Sequence, residues 1–153
     1  MSLREGDTAW VDVVIPPTDP RWDDDVSRSP LWLGDAWARA MATLGVVDGV
    51  TVHRSIERRD DGRIVCFAGV GPGEVSVGGA KLVGVSQRRG RWGARFQMVV
   101  NLRWAPEEWL WCVRDLPDST YEAARSAVSL GTATTLGLVP SVDDVVAAFA
   151  HAL

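Results

Sequence analysis

The sequence predicts an α+β fold in which helices pack on one side of an antiparallel sheet. Short segments rich in β-branched residues follow one another through the middle of the chain, and glycine-rich turns separate them. Such short turns join antiparallel neighbours, because parallel strands need a long crossover. Helical patterns precede these strands and fill the last third of the chain. With 153 residues, 46% of them hydrophobic, the chain is long enough for one domain, predicted to span residues 1–153.

The first strand and the first helix are predicted within the first 45 residues. Residues 9–15 (AWVDVVI) favour a strand, which two prolines close. Ser29 and Pro30 predict a helix N-cap followed by proline at the first helical position, and Gly45 supplies the stop. The tryptophans of this region are interpreted as core residues rather than as an aromatic ligand box: Trp22, Trp32 and Trp37.

The middle of the chain predicts a meander of strands. They are expected at residues 50–55, 64–68, 74–77, 81–88 and 94–104. Gly78 and Gly79 have the composition of a two-residue hairpin turn. Residues 90–93 make the next turn, so consecutive strands should pair as hairpins.

The last third of the chain predicts helices. Pro106 begins a short one, on which Cys112 is expected to be a core residue. The segments 119–122 (STYE) and 141–144 (SVDD) resemble capping boxes, and each predicts a helix beginning at its serine.

Composition and spacing exclude several classes of function. A formal net charge of −4 argues against nonspecific nucleic-acid binding. No apolar run reaches the roughly 18 residues of a membrane span, and the N-terminus carries no signal-peptide core. A cytoplasmic protein with no membrane partner is therefore predicted. His53 and His151 lie far apart and the cysteines form no CxxC pair, so no metal site is predicted.

One lysine stands out against the composition. The chain has 15 arginines, whereas Lys81 is its single lysine. Lysine carries a compact point charge that the planar guanidinium does not reproduce. Two interpretations stay open from composition alone: a special role for Lys81, or chance survival on a solvated strand.

The segment around Lys81 carries a motif. It comprises VCFA at residues 65–68, GPGEV at 71–75 and GAKLVGVSQRR at 79–89. This order resembles the lipoate–protein ligase and octanoyltransferase family of the biotin/lipoate ligase superfamily, in which Cys-Phe precedes a hairpin of the form Gly-x-Lys-Ile/Val-x-Gly. The resemblance implies the catalytic-domain fold of that superfamily. It also implies transfer of lipoate or octanoate to a lysine of a lipoyl carrier domain.

The resemblance also implies roles for individual residues. Lys81 matches the lysine beside the carboxyl end of the bound acyl chain, where an ammonium stabilises negative charge on a carbonyl or phosphoryl oxygen. Glycines at 79 and 84 would let the ligand approach the backbone. Val83 is open to two interpretations, as wall of an acyl tunnel or as core. The substrate-binding residues implied by the resemblance are Gly73, Gly79, Val83, Gly84 and Gln87.

Cys66 separates two routes that the sequence leaves open. In octanoyltransferases the cysteine of this motif is the acyl nucleophile, and an acyl carrier protein is the donor. In ligases, ATP with Mg²⁺ activates the acid and no protein nucleophile is needed. Free cysteine is also commonly a small buried hydrophobe, so packing is the third interpretation of Cys66.

The chain departs from the family pattern in three respects. An Arg-Arg and a Gly-Gly-Gly motif precede these elements in the family, and no counterpart is found here, so a domain truncated at its N-terminus is expected. Met98 and Val85 replace a common histidine and a common serine. A non-catalytic remnant that binds an acyl ligand or a partner subunit is therefore an alternative. A homo-oligomer formed through an exposed sheet edge is also expected. Biotin ligation is less supported by the motif.

Overall fold

A computed structural model describes residues 6–56, 69–113, 115, 117–125 and 127–153. It confirms the α+β class and the antiparallel sheet. The strands are β1 (Thr8–Ile15), β2 (Val50–Val52), β3 (Val75–Val77), β4 (Ala80–Gly90) and β5 (Gly93–Asn101). The helices are α1 (Leu31–Thr43), α2 (Glu107–Leu110), α3 (Asp118–Arg125), α4 (Leu130–Ala133) and α5 (Val142–Ala152). The strand predicted at 64–68 lies outside the described residues.

The five strands form one sheet in the order β1-β5-β4-β3-β2, and every neighbouring pair is antiparallel. Gly78 and Gly79 close the β3–β4 hairpin with φ angles of +58° and +82°, as a type I′ turn requires. The predicted hairpin is confirmed at this turn. β1, the first strand in the sequence, pairs with β5, the last one.

The two faces of the sheet differ in what covers them. On the helix face, defined by Val83, Phe96, Met98 and Val100, the side chains are fully buried under α1 and α5. The outer face carries the alternate residues. On β1 it presents Trp10 and Val14, which are 52% and 59% exposed.

Trp37 anchors α1 in the core on the helix face. It is fully buried, its indole stacks on Phe149 with ring centroids 4.1 Å apart, and its Nε1 donates to the sulfur of Met98 over 3.1 Å. The prediction of a core tryptophan is confirmed here, and Trp22 and Trp32 pack partly buried against the same core. Met98, which stands where the resembled octanoyltransferases commonly have histidine, is a core residue whose sulfur accepts the Trp37 hydrogen bond.

Three local predictions were wrong. Ser29 does not cap α1: Pro30 occupies the N-cap position without a side-chain hydrogen bond. Ser119 lies inside α3, which begins one residue earlier at Asp118. Cys112 follows the end of α2 and is exposed, so it is not a core residue. By contrast, Ser141 accepts from the Asp144 backbone N–H and forms the predicted capping box of α5.

Candidate functional site

Lys81 and Glu74 form a buried ion pair on the β3–β4 hairpin. The Lys81 Nζ lies 2.7 Å from the Glu74 Oε1, and their side chains are only 5% and 8% exposed. The ammonium also donates to the Gly69 carbonyl oxygen over 2.9 Å. Burying either charge alone is costly, because water solvates isolated ions far better than protein does. The pair therefore holds a lysine cation in a place where little water competes for it.

The Glu74 carboxylate is fixed by backbone donors as well. Its Oε2 accepts from the Gly71 N–H over 2.7 Å, and its Oε1 accepts from the Val85 N–H over 3.1 Å. β3 begins at Val75, so no backbone carbonyl of that strand stands opposite Val85. The carboxylate takes the acceptor's place and orients the lysine at the same time.

A register shift in the hairpin decides which face Lys81 occupies. Val75 pairs with Val83, yet the next residue, Ser76, pairs with Lys81, so Leu82 is an extra residue on β4. Successive residues of a strand point to opposite faces. Ser76 and Glu74 therefore lie on the outer face, and Lys81, which pairs with Ser76, lies there with them.

His53 joins this cluster from the end of β2. Its Nε2 lies 2.8 Å from the Ser76 Oγ, and Ser76 is only 1% exposed. The backbone holds His53 in place on both sides, since its N–H donates to Glu74 O and its carbonyl accepts from Gly73 N–H, each over 2.9 Å. Neither His53 nor Ser76 was predicted as a site residue, because only the strand pairing brings them together.

Asn101, at the end of β5, carries a buried amide without a partner among the described residues. The residue is fully buried, and neither its Oδ1 nor its Nδ2 makes a hydrogen bond there. Continuing the β4–β5 register places it beside Leu82, next to Lys81 in the chain. Buried amides are normally satisfied by protein or by ordered water, so this amide has room for one more hydrogen-bond partner. Sequence analysis missed it, because no motif distinguishes it from other strand asparagines.

The substrate-binding residues predicted from the resemblance separate into two groups. Gly84 pairs with Val99 and lies on the outer face, three residues after Lys81. Gly79 lies in the hairpin turn that leads into Lys81. Val83, by contrast, is a fully buried core residue on the helix face, away from Lys81.

Gln87 also lies on the helix face. Its amide, in the orientation that satisfies its neighbours, donates to Val26 O over 3.2 Å and accepts from Ser29 Oγ over 3.3 Å. Ser29 thus serves this contact instead of a helix cap. The strand alternation from Lys81 across the extra residue explains why Gln87 and Lys81 do not meet.

Gly73 supports the site through packing. It has a φ angle of +80°, and a Cβ at this position would lie 2.5 Å from the Pro30 carbonyl oxygen. Any larger residue would push α1 away from the loop that carries Glu74. The second predicted catalytic residue, Cys66, lies outside the described residues.

The rest of the outer face carries opposite charges in contact. Arg95 forms an ion pair with Asp12 across the β1–β5 ladder. The hydrogen bond from the Arg95 guanidinium holds the pKa of the Asp12 carboxyl below its ordinary value. Arg88 stands directly opposite Arg95 on β4 and is exposed. The face therefore changes from a buried polar cluster around Lys81 to a solvated charged surface at the other end of the hairpin.

The parts of the chain described here contain no group of three or more His, Cys, Asp or Glu side chains that could hold a metal ion. They also contain no helix with the length and apolar character to cross a membrane.

Comparison with known proteins relates the chain to one ligase fold. No protein-family model matches the sequence, and no curated protein matches it either. Among solved structures, biotin protein ligase from Aquifex aeolicus, in complex with biotin and ATP, is similar with a TM-score of 0.58 at 14% identity. The similarity covers 95% of this chain and 48% of that one, so the chain spans about half the length of the ligase. At this identity the likeness establishes the fold: a biotin/lipoate ligase-like catalytic fold.

Proposed function

We propose that this chain transfers the acyl group of a small carboxylic acid, lipoate or octanoate, to a lysine of a lipoyl carrier domain. The observation that carries the proposal is the buried Lys81 ammonium, held by Glu74 on the outer face of a ligase-like sheet. Acyl transfer builds negative charge on the carbonyl oxygen. A cation fixed before the reaction stabilises that charge strongly where water is scarce.

The Lys81 environment suits an anionic oxygen. One hydrogen bond of the ammonium goes to a neutral acceptor, the Gly69 carbonyl. A carboxylate or phosphate oxygen is a stronger acceptor than a carbonyl, so its hydrogen bond to the ammonium would be more favourable than the one it replaces. The Glu74 carboxylate, anchored to two backbone N–H groups, would keep the ammonium oriented during the exchange.

In the ATP-dependent route, the residue that would contact an adenine edge is Asn101, once its fully buried amide became accessible. An asparagine amide offers one donor and one acceptor in the geometry that an adenine edge requires. Asn101 presents such an amide without a protein partner in the described part of the chain. Bound ATP would supply the activating phosphoryl group. Mg²⁺ would arrive with the phosphates, because it commonly relies on phosphate oxygens and few protein ligands.

A mass-spectrometric assay tests the proposal and separates the acids. The full chain is incubated with Mg-ATP, an apo carrier domain and one acid, in separate arms for lipoate, octanoate and biotin, the last with a biotin carrier domain. A fourth mixture contains an octanoyl-carrier protein without ATP. Intact mass of the carrier domain is read in each. We expect lipoylation or octanoylation of the carrier domain, and the arm in which it occurs identifies the activated donor.

Variants connect the activity to the site. Lys81→Ala should lower the rate about 100-fold or more, the usual cost of losing a preorganised stabiliser. Arg91→Ala, in the exposed turn between β4 and β5, is the matched control and should keep the rate. Circular dichroism shows whether each variant is folded.

Each outcome has a distinct meaning. Modification only from the octanoyl donor without ATP would assign the chain to the transferase route. Biotin transfer alone would replace the proposed acid. No carrier modification in any arm would contradict an enzymatic role and favour the alternative of a binding module for an acyl ligand or partner subunit.

A further inference from the structure

The outer face holds a hydroxyl–imidazole pair that the proposed function does not use. Ser76 Oγ and His53 Nε2 are 2.8 Å apart, within hydrogen-bond distance. When the ring proton is on Nδ1, Nε2 accepts from the serine hydroxyl. This is the arrangement by which a histidine activates a weak oxygen nucleophile.

Lys81 completes the set of groups that acyl transfer needs. It pairs directly with Ser76 across the β3–β4 ladder, so the two side chains leave adjacent strands on the same face. A nucleophile, a base and a cation able to stabilise an oxyanion thus come from three consecutive segments of the sheet. Glu74 holds the cation from the same face.

Burial does not separate Ser76 from a substrate that reaches Lys81. The two residues are 1% and 6% exposed, so both are covered to a similar degree. An acyl group that contacts the Lys81 ammonium must enter the space on the outer face beside the paired residue. An acyl group that reaches the Lys81 ammonium is therefore also close to the Ser76 hydroxyl.

We propose that Ser76 is a catalytic nucleophile that carries the acyl group as an oxygen ester, with His53 as its general base. The proposal rests on the proposed acyl transfer, and names a thioester as the class of activated donor. The Ser76 Oγ attacks the acyl carbonyl carbon, and its proton moves to His53 Nε2. The new C–O bond forms as the C–S bond breaks and the thiolate leaves, while Lys81 faces the carbonyl oxygen.

The second half-reaction restores the enzyme. The neutral amine of the carrier lysine attacks the ester carbon, and the C–N bond forms as the C–Oγ bond breaks. His53 returns its proton to the serine oxygen, and the amide nitrogen loses one proton to solvent. Atoms and charges balance, and no oxidant or reductant is needed.

The test uses the full chain with octanoyl-coenzyme A as the thioester and no carrier domain, so that an acyl-enzyme accumulates. Intact mass and peptide mapping after acid quenching locate the adduct. We expect it on Ser76, absent in Ser76→Ala and retained in Cys66→Ser. Ser86→Ala, an exposed serine on β4, is the matched control and should keep the adduct. His53→Gln preserves hydrogen bonding but cannot take the proton, so acylation should slow about 100-fold.

A chemical signature separates nucleophile from scaffold. Hydroxylamine at neutral pH cleaves thioesters and leaves ordinary oxygen esters. The wild-type adduct should resist it, whereas the adduct of Ser76→Cys should be released. A merely structural serine would not change this sensitivity. This variant also keeps the proposal testable if Ser76→Ala fails to fold.

The outcomes distinguish this proposal from the one on which it rests. An adduct confined to Cys66, or carrier modification by folded Ser76→Ala at the wild-type rate, would overturn the role of Ser76 and leave acyl transfer intact. If no adduct forms and no carrier domain is modified, both the role of Ser76 and the proposed acyl transfer are contradicted.

Discussion

Lys81 is a buried charge whose stability depends strongly on the Glu74 carboxylate. Desolvation of the ammonium alone costs several kcal/mol. A well-placed carboxylate and further hydrogen bonds roughly compensate this cost. Glu74 supplies that carboxylate at 2.7 Å and brings two backbone hydrogen bonds with it. Removing one partner should therefore cost more stability than removing both.

A double-mutant cycle measures this dependence. Lys81→Met leaves Glu74 buried without its counter-ion and should lower the free energy of unfolding by about 3 kcal/mol. Lys81→Met combined with Glu74→Gln removes both charges and should recover part of that loss, with a coupling energy of about 1–3 kcal/mol. Urea unfolding of the four proteins gives the values. Additive losses would show that the two side chains do not stabilise one another.

At this scale the sequence predicted a lysine but not its surroundings. Lys81 stands out because it is the single lysine and because the motif resembles a ligase hairpin. His53, Ser76 and Asn101 have no motif of their own, and their grouping follows from strand register and from a bulge that composition does not reveal. Gln87 was expected at the substrate, yet it contacts Ser29 on the helix face.

The loop before β3 connects the residues around Lys81 to helix α1 by direct backbone contact. Gly73 touches the first turn of α1, and a Cβ on Gly34 of that helix would lie 2.7 Å from the Gly73 carbonyl oxygen. Two glycines therefore allow backbone to approach backbone. The close contact fixes how far Glu74 stands from the helix layer.

Gly73→Ala tests this contact. The left-handed backbone of this position should lower the free energy of unfolding of the variant by about 1 kcal/mol. Overlap of the new methyl group with Pro30 O should lower it further, by about 1–3 kcal/mol. Gly79→Ala is the matched control: its φ of +82° is nearly that of Gly73, and nothing lies within 4 Å of the added Cβ. Thermal denaturation should give a clearly lower Tm for Gly73→Ala. Equal Tm values would rule out the steric contribution.

Helix starts show where local patterns suffice. Ser141 and Asp144 form the predicted box, in which both reciprocal hydrogen bonds are made. Ser29 is also a residue type that favours helix N-caps, but its hydroxyl donates a hydrogen bond to the Gln87 amide of β4 instead. At Ser119 the helix begins earlier, with the Thr120 and Tyr121 N–H groups bonded to Pro117 O. At Ser29 a tertiary hydrogen bond thus replaces the predicted cap, whereas at Ser119 only the start of the helix differs.

For the whole molecule, β1 forms one edge of the sheet within the described residues. It has eight residues, and Trp10 and Val14 are half exposed or more beside that edge. A long edge strand with apolar neighbours offers unpaired backbone groups to a second chain. The expected homo-oligomer would form here.

Sedimentation velocity tests the association. We expect wild-type protein to show concentration-dependent dimers at micromolar concentrations, and Val14→Lys to shift the population toward monomer, because an edge lysine opposes strand pairing. Lys81→Met with Glu74→Gln, which lies away from β1, should associate as wild type does. A single monomeric species at every concentration would remove the edge as an interface.

The β3–β4 and β4–β5 hairpins were predictable from the sequence, because glycine-rich turns separate strands of β-branched residues, whereas the pairing of β1 with β5 was not predicted. β4 and β5 are confirmed within a few residues of the predicted bounds. Whether residues 1–153 form a truncated domain stays a prediction. The reach of the ligase likeness, 95% of this chain and 48% of the ligase, concerns the fold.

The extra residue at Leu82 has a consequence for how this hairpin can change over evolutionary time. Two-residue alternation counted back from Val83 would direct the lysine into the apolar layer under the helices, and the bulge alone reverses that parity. Deletion of Leu82 would remove the bulge and place Lys81 directly before Val83, so regular alternation would keep the lysine opposite Ser76 on the outer face. The hairpin can therefore lose this one residue and still present the charge on the same side of the sheet, whereas straightening the bulge with Leu82 retained would turn Lys81 toward the helices.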